Sequence, residues 1–132
     1  MMHGALHHVE LYVRDLKTSL DFWGWFLSRM GYELYQSWEE GASYLLGDCY
    51  LVFVQIEERW KDVPYHRCRA GLNHLAFHAR DEAFVDEITS ELRSRGVTIL
   101  YEDRHPHASG EDAYSVFFED PDRMKVELTV SN

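Results

Sequence analysis

Two stretches of this chain carry one phrase. LHHVELYVRDL at residues 6–16 and NHLAFHARDEA at residues 73–83 each place a histidine seven residues ahead of an aspartate, His8 before Asp15 and His74 before Asp81. The offset from His8 to His74 is 66 residues, half of the 132-residue chain. Internal self-similarity restricts a fold more than composition does, because a duplicated unit must build the same supersecondary structure twice.

The grammar of the unit follows from periodicity. Val9, Leu11 and Val13 alternate with His8, Glu10 and Tyr12, the period of a strand with two unlike faces. From Leu16 to Met30 apolar residues recur at three and four residue spacings, with Asp15 as N-cap and Gly31 as C-cap, which predicts a helix. Strand-rich segments follow at 32–38, 44–46 and 49–56, with a turn at 39–43 and another at Gly47-Asp48. The first module, about 5–58, is thus βαβββ. After a polar connector at 59–71, the second module, about 72–131, repeats the order: strand 72–79, helix 82–95, strands 97–101 and 113–118, an EDPDR turn and a last strand at 124–130. The fold class expected is α+β, one domain of two paired βαβββ modules.

On a strand, residues two apart share a face. His8, Glu10 and Tyr12 therefore point together, as do His74, Ala76 and His78, then Lys125, Glu127 and Thr129, and on this reading Leu51, Phe53 and Gln55. The opposite faces are apolar and predict the helix contacts. A polar sheet face made of histidines, glutamates and a glutamine among aromatics has the character of a lined cavity. Carrying the repeat to the last strand of each module, Asp48 to Gln55 and Asp120 to Glu127 are both seven-residue steps, which pairs Gln55 with Glu127. Two imidazoles and a carboxylate suit a divalent metal and leave positions open for water or substrate. Against that stands the alternative that His8 and His74 are ordinary hydrogen-bonded strand histidines.

Three fragments in order, HHVELYVRDL…SLDFW, LNHLAFHARD and FFEDPDRMKVEL, resemble the vicinal oxygen chelate superfamily of glyoxalase, bleomycin-resistance and extradiol-dioxygenase proteins. The resemblance implies that the paired modules form a cupped mixed sheet around a divalent metal (Ni, Co, Zn, Mn or Fe) with ligands His8, Gln55, His74 and Glu127. It also implies chelation of two neighbouring substrate oxygens, and a homodimer. The His, Gln, His, Glu set resembles the epimerase branch, while two His and one Glu are shared by ring-cleaving dioxygenases and fosfomycin-modifying enzymes.

Glu10 and Glu127 are the candidate proton-transfer groups, with Glu39 and Glu40 at the rim, and Tyr12, His78, Tyr114 and Lys125 are candidates for orienting substrate. The expected function is a metal-dependent enzyme of glyoxalase, lyase or epimerase type. The alternatives are a metal-free binder of small molecules such as antibiotics, and an Fe(II) dioxygenase. Arg59, Lys61, Arg67 and Arg69 in the connector suit an anionic substrate tail or a solvated link, and the loop 102–115 with His105 and His107 suits a lid or a simple turn. A net charge of −10 disfavours nucleic acid, and no apolar run reaches the roughly 20 residues of a membrane span. The cytoplasm is the expected compartment, with Cys49 and Cys68 as free thiols.

Overall fold

The computed structural model describes residues 2–131. The chain divides into two units, Met1–Pro64 and Tyr65–Asn132. The first contains β1 (His8–Val13), α1 (Leu16–Arg29), β2 (Glu33–Trp38), β3 (Gly41–Leu46) and β4 (Cys49–Gln55), followed by a 3-10 turn at Glu58–Trp60. The second contains β5 (His74–His78), α2 (Glu82–Ser94), β6 (Ile99–Leu100), β7 (Ala113–Glu119) and β8 (Lys125–Ser131). The sheet orders are β1-β4-β3-β2 and β5-β8-β7-β6, with the first strand parallel to the last in each unit and the other pairs antiparallel. The expected βαβββ grammar is present twice. No helix among the described residues is long and apolar enough to cross a membrane.

The repeated phrase has a local physical cause. Asp15 Oδ1 accepts from Thr18 N at 3.0 Å, and Asp81 Oδ1 accepts from Phe84 N at 2.8 Å, so each aspartate caps the helix that follows its strand. A cap of this kind stabilises a helix by about 1 kcal/mol. The helix is then held by its apolar stripe. Trp23, Phe26 and Leu27 of α1 are fully buried, with the Trp23 ring 5.1 Å from that of Phe53. On α2 the residues Val85, Ile88 and Leu92 play that part, packed on β7 and β8, where Val116, Phe118, Val126 and Leu128 have no exposed surface. Burying each such side chain contributes roughly 1.5–3 kcal/mol.

Two expectations are corrected by the strand register. β3 begins at Gly41, inside the segment expected to be a turn. A Cβ on Gly41 would lie 2.6 Å from the Phe53 carbonyl oxygen and 2.6 Å from the Trp38 ring, so the strand can approach its neighbours there because it lacks a side chain. Ala42 and Ser43 are buried beside it, and their smallness hides a strand from propensity.

The second correction concerns β4. His8 pairs with Tyr50, Glu10 with Val52 and Val13 with Gln55, which puts Tyr50, Val52 and Val54 on the polar face and Leu51, Phe53 and Gln55 on the helix side. The run YLVFV has no alternation, so its pattern carries no phase.

Gln55 consequently serves the corner between β1 and α1. Its Oε1 accepts from Leu16 N at 2.9 Å, and its Nε2 donates to the carbonyls of Arg14 at 2.8 Å and Ile56 at 3.2 Å. Tyr114, expected in the pocket, also lies on the helix side. It pairs with Val130, and its hydroxyl donates to Asp86 Oδ1 on α2 at 2.6 Å. That hydrogen bond, with burial and the Asp86 charge behind it, pushes the phenol up to about 12.

Two outcomes follow from these contacts. Gln55→Leu is expected to cost about 1 kcal/mol in urea denaturation, from the orphaned Leu16 N–H and Arg14 carbonyl. The Tyr114 contribution to stability is fully present below the ordinary phenol value of 10.0 and is lost as pH rises through about 12. Denaturation midpoints of the parent and Tyr114→Phe should therefore differ at neutral pH and converge across that interval.

Candidate functional site

The face of the second sheet opposite α2 collects its polar residues by register. His74 stands beside Lys125, Ala76 beside Glu127 and His78 beside Thr129, while β7 adds Ser115 opposite Thr129 and Phe117 opposite Glu127. Glu127 is only 8% exposed although it carries a carboxylate. Ser115 Oγ lies 3.3 Å from Glu127 Oε2, 2.6 Å from Thr129 Oγ1 and 2.8 Å from Ser109 Oγ, a hydroxyl cluster that solvates the buried acid.

His74 Nε2 lies 3.2 Å from Glu127 Oε1. Its other nitrogen, Nδ1, lies 2.8 Å from Asn73 Oδ1. The amide of Asn73 is oriented by the Arg67 carbonyl, which can only accept and lies 3.0 Å from Asn73 Nδ2. Asn73 therefore offers oxygen to His74, and Nδ1 carries the proton. In the neutral ring Nε2 then presents a lone pair to a carboxylate, and two acceptors face one another. A shared cation, either a proton on Nε2 or a metal ion, relieves that conflict. An imidazole nitrogen and a carboxylate oxygen are donor types that would hold a divalent ion, and at 3.2 Å they stand close enough to share one. An imidazole whose far nitrogen is held by a neighbouring acceptor is the usual preparation of a histidine ligand.

In the first sheet, His8, Glu10 and Tyr12 share a face with Tyr50 and Val52. The His8 ring stacks on Tyr50 at 4.7 Å with a 4° interplanar angle, and His7 Nδ1 lies 2.9 Å from His8 Nδ1. Glu10 is exposed, as is Tyr12 at 62%. Val52 pairs with Glu10 as Glu127 pairs with Ala76, so the first unit has an apolar residue where the second has its carboxylate. Among the described residues no group of three His, Cys, Asp or Glu side chains is gathered.

The connector cations are spent locally. Arg59 pairs with Glu57 at 3.0 Å, Lys61 with Glu58 at 3.1 Å, and Arg67 with Glu119 at 2.5 Å. In the loop, His107 Nδ1 lies 2.9 Å from the Ala113 carbonyl oxygen and its ring meets Tyr114 edge to face. Cys49 and Cys68 are free thiols. Lys125 donates to the Tyr101 hydroxyl at 3.0 Å. Asn73, Ser115, Tyr50, Tyr101 and Phe117 join these contacts with no motif in the sequence to mark them. The signal available for Asn73 was its place directly before His74, an amide beside an imidazole.

The sequence model of the glyoxalase/bleomycin resistance protein/dioxygenase superfamily matches residues 5–128. The Bacillus subtilis (strain 168) protein YqjT is 54% identical over 123 residues, 93% of this chain and 96% of that one. Glutathione transferase FosA of Serratia marcescens is 32% identical over 128 residues, 97% of this chain and 82% of FosA. A candidate glyoxalase from Bacillus halodurans superposes with a TM-score of 0.95 at 56% identity, covering 96% of each chain. FosX of Listeria monocytogenes shares the fold, with a TM-score of 0.73 at 22% identity over 99% of this chain and 95% of that one. The paired βαβββ units and these matches have one meaning: the chain belongs to the glyoxalase/bleomycin resistance/dioxygenase, or vicinal oxygen chelate, superfamily.

Proposed function

We propose that this protein is a metal-dependent enzyme that acts on a small oxygenated molecule, with His74 and Glu127 as two ligands of a divalent ion and His8, the counterpart of His74 in the repeat, as the third. The observation that carries this reading is the approach of His74 Nε2 to Glu127 Oε1 at 3.2 Å, with Asn73 Oδ1 2.8 Å from its Nδ1. Gln55, bonded to three backbone groups at the helix corner, is left out of the ligand set. Three protein ligands leave coordination positions for two neighbouring substrate oxygens.

When bound, the ion supplies Lewis acidity at the substrate oxygens. The chain's own groups do the rest. Asn73 fixes the tautomer of His74, and the Ser115 hydroxyl supports Glu127. Glu10, on the same strand face as His8, would accept the proton from carbon adjacent to the substrate oxygens, and Tyr12 and His78 would orient the substrate. That assigns proton-transfer chemistry of the glyoxalase, lyase or epimerase kind. A second reading, addition of a thiol to a small electrophile, draws support from the 32% identity to a glutathione transferase over nearly the whole chain. The two readings share the metal ligands and part at the nucleophile, so turnover that requires a thiol cosubstrate selects the second.

Tag-free protein is expected to hold about one equivalent of a divalent transition metal, and His74→Ala, Glu127→Ala protein to hold none. Metal retained by the double variant would end this reading. Asn73→Ala should weaken metal affinity about 10–100-fold without unfolding the chain, measured by competition with a chromogenic chelator. Mixing His8→Ala with His74→Ala protein should restore metal binding in a homodimer whose sites combine residues of two copies. Absence of restoration would argue against sites that combine residues of two copies.

A further inference from the structure

Among the described residues Lys125 has no counter-ion. It neighbours His74 in the β5–β8 register, on the same face. Its Nζ lies 5.4 Å from the centre of the Tyr101 ring and 5.7 Å from that of Phe117, and Phe117 meets the His74 ring edge to face at 6.1 Å. The carboxylate opposite Lys125 across β7 and β8 is Glu119, which is committed to Arg67 at 2.5 Å and to Arg123 at 3.4 Å. That pairing is well covered, with the Arg67 and Glu119 side chains 19% and 11% exposed. Among the described residues no carboxylate lies within ion-pair distance of Lys125.

The partner that Lys125 does have leaves its donors free. Nζ donates to the Tyr101 hydroxyl oxygen at 3.0 Å, which uses one ammonium hydrogen and occupies the phenol as an acceptor. Two ammonium hydrogens and the phenol O–H remain to point outward. Tyr101 reaches this position from a left-handed backbone conformation, φ 57°, in a turn whose carbonyl accepts from Arg104 N and His105 N at 2.9 Å each. Non-glycine residues seldom adopt that region, and such backbone is a recurrent feature of ligand clamps. A partly buried cation between aromatic faces, with donors and no anion, is complementary to an oxyanion.

We propose that Lys125 and Tyr101 form an anion subsite beside the His74–Glu127 pair and that the substrate class is therefore a small oxygenated acid, its carboxylate or phosphoryl group held by these two side chains. The assignment rests on the metal reading above for the position of the reacting oxygens, while the anion contact itself is independent of metal.

The test titrates the full-length protein, as purified and after metal removal, with inorganic phosphate and separately with lactate, following the backbone amides of Tyr101, Phe117 and Lys125 by NMR. Saturable shifts are expected with one anion or both, and which anion binds tells phosphoryl from carboxylate. Lys125→Met keeps the stem against Phe117 and should weaken the binding about tenfold or more, Tyr101→Phe should weaken it less, and both variants should keep the parent's metal content. Equal affinity in the parent and Lys125→Met, or no shift at these amides with either anion, overturns the subsite. Anion binding in a parent that takes up no metal would overturn the metal reading and leave the subsite standing.

Discussion

In each unit the first strand lies parallel to the last, and most of what the protein presents follows from that pairing. A parallel partner cannot be reached by a tight turn, so the chain must travel through a helix, and the helix covers one face of the sheet. The other face is free to carry polar side chains. Register then decides what it shows: His74 comes to lie beside Lys125, with Glu127 two residues further along β8. The aspartate caps and the aromatic stripe of α1 stabilise this arrangement, and they work on the covered side. Stability and chemistry are thus divided between the two faces of one strand, an economy that period-two geometry makes available.

The polar face of the second unit is organised by hydrogen bonds that run outward from the imidazole. Arg67 contributes twice, once through its carbonyl, which orients Asn73, and once through its guanidinium, which engages Glu119 and the Arg123 carbonyl. The connector is therefore tied both to the turn before β8 and, through Asn73, to the histidine. A composition-based view of that segment as a basic tether misses this. Its charge is largely consumed in local pairs, and its backbone contributes the directional contact.

The architecture was legible because its signals are periodic. The alternation of residues 8–13, the three and four residue spacing of both helices, and the capping aspartates each carry phase, and the structure reproduces them. β4 was legible as a strand and illegible in orientation, since five consecutive apolar residues look the same from either face. That one ambiguity turned Gln55 toward the expected cup, whereas its amide is used to secure the start of α1. Tyr114 was misread for a related reason: a phenol flanked by Ala113 and Ser115 has no obvious inside, and its partner Asp86 sits on a helix 28 residues earlier. The His74 and Glu127 neighbourhood was legible because histidine and glutamate are conspicuous on a strand face. Asn73, Ser115 and Tyr101 act through hydrogen-bond direction, which residue identity alone does not encode.

The valine at position 52 has a consequence for the balance of charge. The two halves of this chain descend from one pattern, yet where the second half carries a carboxylate the first carries a hydrocarbon. A divalent ion held by two neutral imidazoles and a single carboxylate retains one unit of positive charge, which a second acid at position 52 would have cancelled. Within a protein of net charge −10, such a centre would be a local reversal of sign. With the ion of the proposed site in place, divergence of the repeat at this one aliphatic residue would tilt the potential in favour of negatively charged guests.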